Sequence, residues 1–299
     1  MTIAKPQTAY LFDTISAGYE AVNRRPQVLV VPMLVNVLLW LNAPLPIDGL
    51  SAGLSLRLAA SVDQPALRER LIAWLHTLDL RLALTPFNFV PLLGPLPRAD
   101  WALSLPSPAA LIGIALVLNG VALLLSGSYL TALATAVSSI GASNGRSAWR
   151  VALVIGETAL VIGGVGLLLG LPFITLSVAL LRTLPQLTPL IAACWYVILF
   201  WVAVYSSFIG EGASIGALGP LRAIYTSVNL VRRNLAATLS LLALSLLISG
   251  GMGAIFRRLA SESGLWAIVL ASVCSAYLGS GMAAARMVFY RERLAQGKA

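Results

Sequence analysis

Hydrophobic residues are concentrated in six long runs, separated by shorter polar or mixed segments. The runs are Val28–Ala43, Ala109–Ala132, Val151–Leu171, Pro189–Ile209, Ala236–Phe256 and Trp266–Phe289. A helix needs about 20 apolar residues to cross a hydrocarbon core of about 30 Å, and unpaired backbone polar groups are not tolerated in lipid. The pattern therefore predicts an all-α polytopic transmembrane bundle. It has six spans in a single membrane domain over residues 1–299, with in-plane amphipathic helices on both surfaces.

Two of the six runs have proline where a regular span would not. The first run is short, with Pro32 near its start and Pro44 just after its end, so we expect it to draw on the preceding helix. Apolar character in the third run continues from Val151 to Leu181 and is interrupted by Pro172. Because proline removes a helical hydrogen bond, we expect a kink or break near Gly170–Pro172, with a tilted helix as the alternative.

The longest segment between runs, residues 45–108, is predicted to be an insertion on the outer side. Within it, Ala66–Leu84 has leucines at three- and four-residue spacing, which indicates an amphipathic helix. Thr85–Pro97 follows, with four prolines and no charged residue. Such an apolar stretch should not face open water. It folds back onto the helices, or it meets lipid or a partner protein; we favour folding back.

Composition and charge both favour a membrane over a soluble or nucleic-acid-binding protein. The chain is 59% hydrophobic and 10% charged, whereas soluble domains carry about 25% charged residues. Its net charge is +9, and the basic residues lie at the ends of the runs rather than in one patch. This placement indicates contact with anionic headgroups. The balance of Arg and Lys between the loops predicts that both termini are cytoplasmic.

A weak internal repeat precedes the first and fifth runs. AGYEAVNRRPQVLVVPMLV (Ala17–Val35) and AIYTSVNLVRRNLAATLSLL (Ala223–Leu242) each place Val-Asn and an Arg pair before the apolar residues. SNGRSAWRVALVI, before the third run, keeps only two Arg. The repeat predicts three helical hairpins, each led by a helix in the inner headgroup layer. The alternative is that any span entered from the inside begins with Arg.

These motifs carry a resemblance. YEAVNRRPQVLVVP, TSVNLVRRNLAATL and the basic MVFYRERL after the last run resemble bacterial six-helix membrane proteins. They are similar to the membrane domain of some glycerophosphoryl diester phosphodiesterases and to uncharacterised relatives. The resemblance implies a bacterial cytoplasmic (inner) membrane protein of the same architecture, and it transfers no catalytic residue. The apolar outer insertion departs from the family pattern.

Residues able to do chemistry are sparse. The one histidine, His76, lies outside the runs, and Cys194 and Cys274 belong to no CxxC motif. HExxH is not present, and Ser and Thr in the runs have no accompanying base. The sequence therefore predicts no catalytic, metal-binding or cofactor-binding residues and no cofactor. An intramembrane enzyme is the least favoured function.

Ionisable residues inside or beside the runs are the best candidates for a site, because charge is costly in lipid. Glu157 must be protonated, paired or facing water, and Arg286 is a candidate partner. Glu211 closes the fourth run and can pair with Arg222 or Arg286. Either these groups form a structural ion pair, which we favour, or a carboxylate is linked to a proton or substrate.

Polar and small residues in the runs are candidates for helix packing. Asn36 and Asn119 are expected to form hydrogen bonds between helices. Small residues let helix backbones approach closely, and the candidates are Gly163, Gly166, Gly170, Gly250, Gly253 and Gly279.

These observations favour a non-catalytic accessory or scaffold subunit of a membrane assembly. The alternative is a transporter or lipid-handling permease that uses Glu157. The expected partners are the lipid bilayer and other membrane proteins, reached through residues 85–97 or through small-residue helix faces. Nucleic acid is not an expected partner.

Overall fold

A computed structural model describes residues 7–41, 55, 68–69, 72–73, 89–93, 107–138, 147–262 and 264–296. Its helices are α1 (Gln7–Arg24), α2 (Val30–Leu41), α3 (Pro108–Val137), α4 (Ala148–Thr183), α5 (Thr188–Ser206), α6 (Ile209–Ser214), α7 (Pro220–Arg233), α8 (Leu235–Leu246), α9 (Met252–Glu262) and α10 (Leu265–Ala295). Short 3-10 turns lie at Pro26–Leu29 and Pro185–Leu187, and a π-helical turn joins α8 to α9. These residues contain no β-strand, as the all-α prediction requires.

Five helical segments within the described residues are long and apolar enough to cross a membrane. They are Ala109–Val137, Ala148–Leu180, Thr188–Ser214, Leu235–Ser261 and Trp266–Ala295. Each contains one of the last five predicted runs, so the multi-pass prediction is confirmed at this level. The sixth predicted span, Val28–Ala43, is described only as the shorter apolar helix Pro26–Leu39, and residues 42–43 lie outside the described part of the chain.

The first run is separated from the preceding helix at Pro26. Its described apolar helix is the shorter segment Pro26–Leu39. Helix α1 ends at Arg24, and a 3-10 turn starting at Pro26 separates it from α2. Proline has no amide hydrogen to donate to an α-helical ladder. The expected recruitment of the preceding helix therefore does not occur.

Helix α4 runs without interruption through Pro172, so of the expected kink or break, the break does not occur. The helix has 36 residues and a length of about 54 Å, well beyond a hydrocarbon core of about 30 Å. Thr175 and Ser177 donate hydrogen bonds to the carbonyl oxygens of Pro172 and Phe173, at 2.8 and 2.7 Å. These bonds are additional to the helical ladder, because the carbonyl that lacks its amide donor at Pro172 is that of Leu168, four residues earlier.

The two clearest copies of the repeat adopt the same local structure. Helix α1 ends at Arg24 beside Arg25, and α7 ends at the pair Arg232 and Arg233. In both copies the helix stops at the Arg pair, and a short irregular step leads into the next apolar helix. In the third copy, α4 begins directly at Ala148, and residues 141–146 lie outside the described part of the chain.

The chain divides into two compact units. The first comprises Met1–Arg25, Leu130–Leu246 and Gly281–Ala299. In this unit α4 and α5 both pack on α7, and the short helix α6 contacts both α4 and α7. Gly18 of α1 lies directly against α10: a Cβ there would come within 2.7 Å of the Cα of Ala285. This close approach fixes α1 to the C-terminal half of α10.

The second unit comprises Pro26–Tyr129 and Leu247–Ser280. Its core joins α2, α3, α9, α10 and the extended segment 89–93, through Val35, Leu39, Leu93, Ala122, Ala260, Ile268 and Ala271. Tyr129 is fully buried and its hydroxyl is 3.0 Å from that of Ser280. This hydrogen bond joins α3 to α10.

Candidate functional site

Glu211 and Arg286 form a buried ion pair inside the first unit. Oε1 of Glu211 accepts hydrogen bonds from Nε and Nη2 of Arg286, at 2.9 and 2.6 Å. Nη2 also donates to the carbonyl oxygen of Ser207 at 3.1 Å. The Glu211 side chain is 1% exposed and that of Arg286 is 22% exposed. Arg286 rather than Arg222 is therefore the partner of Glu211, and Glu157 pairs with neither.

Local structure around the turn between α5 and α6 sets the position of Glu211. Ser227 of α7 donates a hydrogen bond to the carbonyl of Tyr205 at 2.6 Å and accepts one from the amide of Phe208 at 3.2 Å. The Phe208 ring stacks on Phe289 at 5.7 Å and on Tyr290 at 6.3 Å. These contacts hold the start of α6 against α10, where the next turn brings Glu211 to Arg286.

Three buried polar atoms of this cluster have no hydrogen-bond partner among the described residues. They are Oε2 of Glu211 and the hydroxyl groups of Ser207 and Tyr290. A Cβ on Gly212 would come within 3.3 Å of that hydroxyl, and one on Gly216 within 3.1 Å. The glycines therefore let the backbone approach Tyr290 closely. The cluster can hold a charge in place. Oε2 of Glu211 can accept a further hydrogen bond, and the hydroxyl of Tyr290 can donate one.

Asn36 binds the described part of the outer insertion. Its Oδ1 accepts a hydrogen bond from the amide of Leu93 at 2.9 Å, and its Nδ2 donates to the carbonyl of Pro91 at 3.2 Å. Asn36 is fully buried, and Val90 and Leu93 are each 4% exposed. Residues 89–93 therefore fold back into the second unit, as favoured from the sequence. We do not propose this part of segment 85–97 as a surface for partners.

Asn119 does not bridge two helices. Its Nδ2 donates to the carbonyl of Ala115 in the same helix at 2.8 Å, and its Oδ1 is buried without a partner among the described residues. The interhelical hydrogen bond predicted for Asn119 is therefore wrong, whereas Asn36 bonds outside its own helix to segment 89–93. Sequence alone could not separate the two, because both are single Asn residues in apolar runs.

Glu157 lies on an exposed surface of α4. Among the described residues it has no hydrogen bond or ion pair, and the exposed Arg150 is seven residues, or about 10 Å, toward the helix start. Its helix and α5 form a hairpin, Ala148–Ser206, whose surface is apolar and largely unpacked. No residue between Thr158 and Ser177 is buried, and none from Thr188 to Ala203.

The candidate packing glycines fall into two groups. Gly279 lies against Pro91 and Gly253 lies 3.5 Å, measured from a built Cβ, from a methyl group of Leu93. These two pack the outer segment in the second unit. By contrast, a Cβ on Gly163, Gly166 or Gly170 would meet nothing within 4 Å. Gly250 is exposed within the π-helical turn.

An open groove of about 320 Å³ lies between the end of α4 and the start of α5. Its lining includes Ile174, Val178 and Ile191, and Trp195 donates a hydrogen bond to Ser177 at its base, at 3.2 Å. The groove is about 25 Å along α4 from Glu157. The carboxylate and the groove therefore do not form one site.

Several predicted features lie outside the described residues. His76, most of the predicted helix Ala66–Leu84 and the ends of segment 85–97 are among them. Within the described part of the chain, no group of three His, Cys, Asp or Glu residues could hold a metal ion.

Sequence reasoning missed the residues that organise the ion pair. No catalytic or binding motif marks Ser207, Ser227 or Tyr290. The only available signal was position: Ser227 stands in the repeat motif TSVNLVRRN, and Tyr290 in the MVFYRERL motif.

Comparison with protein-family models, with curated proteins and with solved structures finds no match to this chain. The resemblance to the membrane domain of glycerophosphoryl diester phosphodiesterases therefore stays an expectation.

Proposed function

We propose that this protein is a non-catalytic accessory or scaffold subunit of a membrane assembly, and that the hairpin Ala148–Ser206 is the part that meets its partners. The observation that carries the proposal is the unpartnered state of this hairpin. In the most apolar stretch of α10, 56% of the residues are buried, whereas in that of α4 none is. Both helices are apolar enough to span a membrane, but only the apolar stretch of α10 is covered by the rest of this chain.

Glycines on α4 support a protein partner in addition to lipid. Glycine in a helix costs about 1 kcal/mol relative to alanine, unless close packing offsets it. Gly18 and Gly279 show how this chain uses glycine: a backbone or a proline ring lies where a side chain would be. Gly163, Gly166 and Gly170 leave the same space open. A helix from another protein would supply the missing contact, since small residues line helix interfaces in membranes.

The proposal also specifies the membrane and the orientation of the chain in it. The chain would lie in a bacterial cytoplasmic membrane with both termini inside, and α1 and α7 would lie in the inner headgroup layer. The amphipathic α7 has buried Ala223 and Leu230 on one side and exposed Arg232 on the other, which suits that depth. The groove at Ser177 and Trp195 is suited to an acyl chain.

The alternative, a permease that uses Glu157, has no specific support in the described geometry. Glu157 lies on the outside of α4 rather than in a lined cavity, and the groove is about 25 Å away. We therefore carry only the accessory function forward.

A pull-down of the tagged full-length protein in mild detergent, with mass spectrometry of co-purifying proteins and lipids, tests the proposal. A stoichiometric membrane protein is expected with the wild type and is expected to be lost in Gly166→Leu. Gly120→Leu is the matched control, because its Cβ also meets nothing within 4 Å but it lies on α3. A monodisperse protein that has no partner and moves a solute by itself would contradict the proposal.

A further inference from the structure

Glu157 is the most unusual charged group of the hairpin. It is exposed at the surface of α4, in a segment apolar enough to span a membrane, and it has no partner among the described residues. Ionisable residues in spans almost always face the protein interior, a water-filled cavity or an opposite charge. Leaving a charge in lipid costs about 2.5–3.5 kcal/mol on insertion scales.

The depth of Glu157 follows from the start of its helix. Trp149 is 58% exposed and the neighbouring Arg150 is also exposed, and both residue types favour the interface. Glu157 is seven residues further along, which is about 10 Å deeper. A helical side chain leans toward the N-terminus, but the two methylenes of Glu cover only part of that distance. With Trp149 and Arg150 at the interface, the surplus length of α4 extends beyond the opposite side of the core, and the carboxylate lies below the headgroups.

The surface around Glu157 is shaped for a helix. Leu160, Gly164 and Leu168 follow Glu157 at spacings of three, seven and eleven residues, so they share its face of α4. Leu160 is 77% exposed and Leu168 is 74% exposed, and a Cβ on Gly164 would meet nothing within 4 Å. The face thus has two apolar side chains, a flat glycine between them and a carboxylate at one end.

Among the described residues, no cation pairs with Glu157. Arg286 is committed to Glu211 and Ser207. In a second copy oriented the same way in the bilayer, Arg150 would be about 10 Å nearer the interface than Glu157. A lipid amine would lie in the headgroup layer, at the same distance. The best-matched source of a counter-charge at this depth is therefore a transmembrane helix of a different protein.

We propose that the face Glu157–Leu160–Gly164–Leu168 binds a transmembrane helix of a different membrane protein, and that this helix carries a Lys or Arg at the depth of Glu157. The inference rests on the proposed accessory function and gives its partner a chemistry. The apolar side chains and glycine provide packing, and the ion pair removes the cost of both charges in lipid.

The test uses the full-length protein in its native membrane with a photo-crosslinking amino acid at Leu160. A second probe at Leu246, which is 75% exposed on α8, is the matched control outside the hairpin. Adducts are expected at Leu160 with a membrane protein that has Lys or Arg within an apolar helix. Glu157→Gln should lower their yield at least about tenfold, and Glu157→Asp should retain most of it.

A charge exchange completes the test. Glu157→Lys alone should abolish the adduct, and combining it with the reverse substitution in the partner should restore it. Because Glu157 is exposed and unpaired, each variant should remain folded, which size-exclusion chromatography checks. Adducts unaffected by Glu157→Gln, or adducts with lipid or a second copy alone, would overturn the inference. If a stoichiometric partner still co-purifies in those cases, the accessory function survives; if none does, both fail.

Discussion

Removing the two partners of the buried ion pair should have unequal effects. Arg286→Met leaves the Glu211 carboxylate, which is 1% exposed, without its counter-charge. Breaking a buried pair in this way costs about 3–5 kcal/mol. Glu211→Leu leaves Arg286, which is 22% exposed and keeps its hydrogen bond to Ser207. The cost of losing a hydrogen bond to a charged group is about 1.5–3 kcal/mol, so the second variant should be the milder one.

Replacing both residues should restore much of the stability. In the double variant, no buried charge remains, and apolar replacements for a buried pair are often neutral. The free energy of unfolding can be followed by denaturant titration in detergent micelles, with Arg222→Met as the control, since Arg222 does not contact Glu211 in the structure. Equal costs for the two single variants would refute the asymmetry argued from burial. Costs that simply add in the double variant would show that the two side chains do not stabilise each other.

Three further outcomes are expected. Asn36→Leu should lower stability by about 2–3 kcal/mol, through loss of two hydrogen bonds to segment 89–93, and should expose a cysteine placed at Leu92 to thiol reagents; unchanged labelling would contradict this. Gly18→Ala should destabilise the protein by about 1–3 kcal/mol because its Cβ overlaps the α10 backbone. Gly120→Ala, in open space, should raise stability by up to about 1 kcal/mol. Equal shifts in melting temperature for the two variants would count against the packing of Gly18 on α10. Tyr290→Phe should change the unfolding free energy by less than about 0.5 kcal/mol, since its hydroxyl has no partner among the described residues; a large loss would reveal one.

Sequence reasoning identified the helical membrane class and most of the spans. The predicted runs Ala109–Ala132 and Trp266–Phe289 lie within the observed segments Ala109–Val137 and Trp266–Ala295. Transfer into lipid is a sum over neighbouring residues, so hydropathy read along the chain is enough to place such helices. The ends of α1 and α7 at their Arg pairs are likewise marked by neighbouring residues in the sequence.

Proline was a poor local guide to where a helix ends. Pro172 did not break α4, because one missing amide is a small loss within 36 helical residues. Pro26 did separate α1 from α2, with a 3-10 turn between them. The same residue type thus had opposite consequences in different surroundings.

The sequence by itself determined that this chain forms apolar helices with sparse charges at their ends. Only the tertiary structure decided which charges meet: Arg286 with Glu211, and neither with Glu157. It also separated Gly279, which lies against a proline ring, from Gly166, which faces open space. The physical reason is that burial and pairing depend on which helix faces come together, and two residues 75 positions apart leave no joint signal in a single sequence.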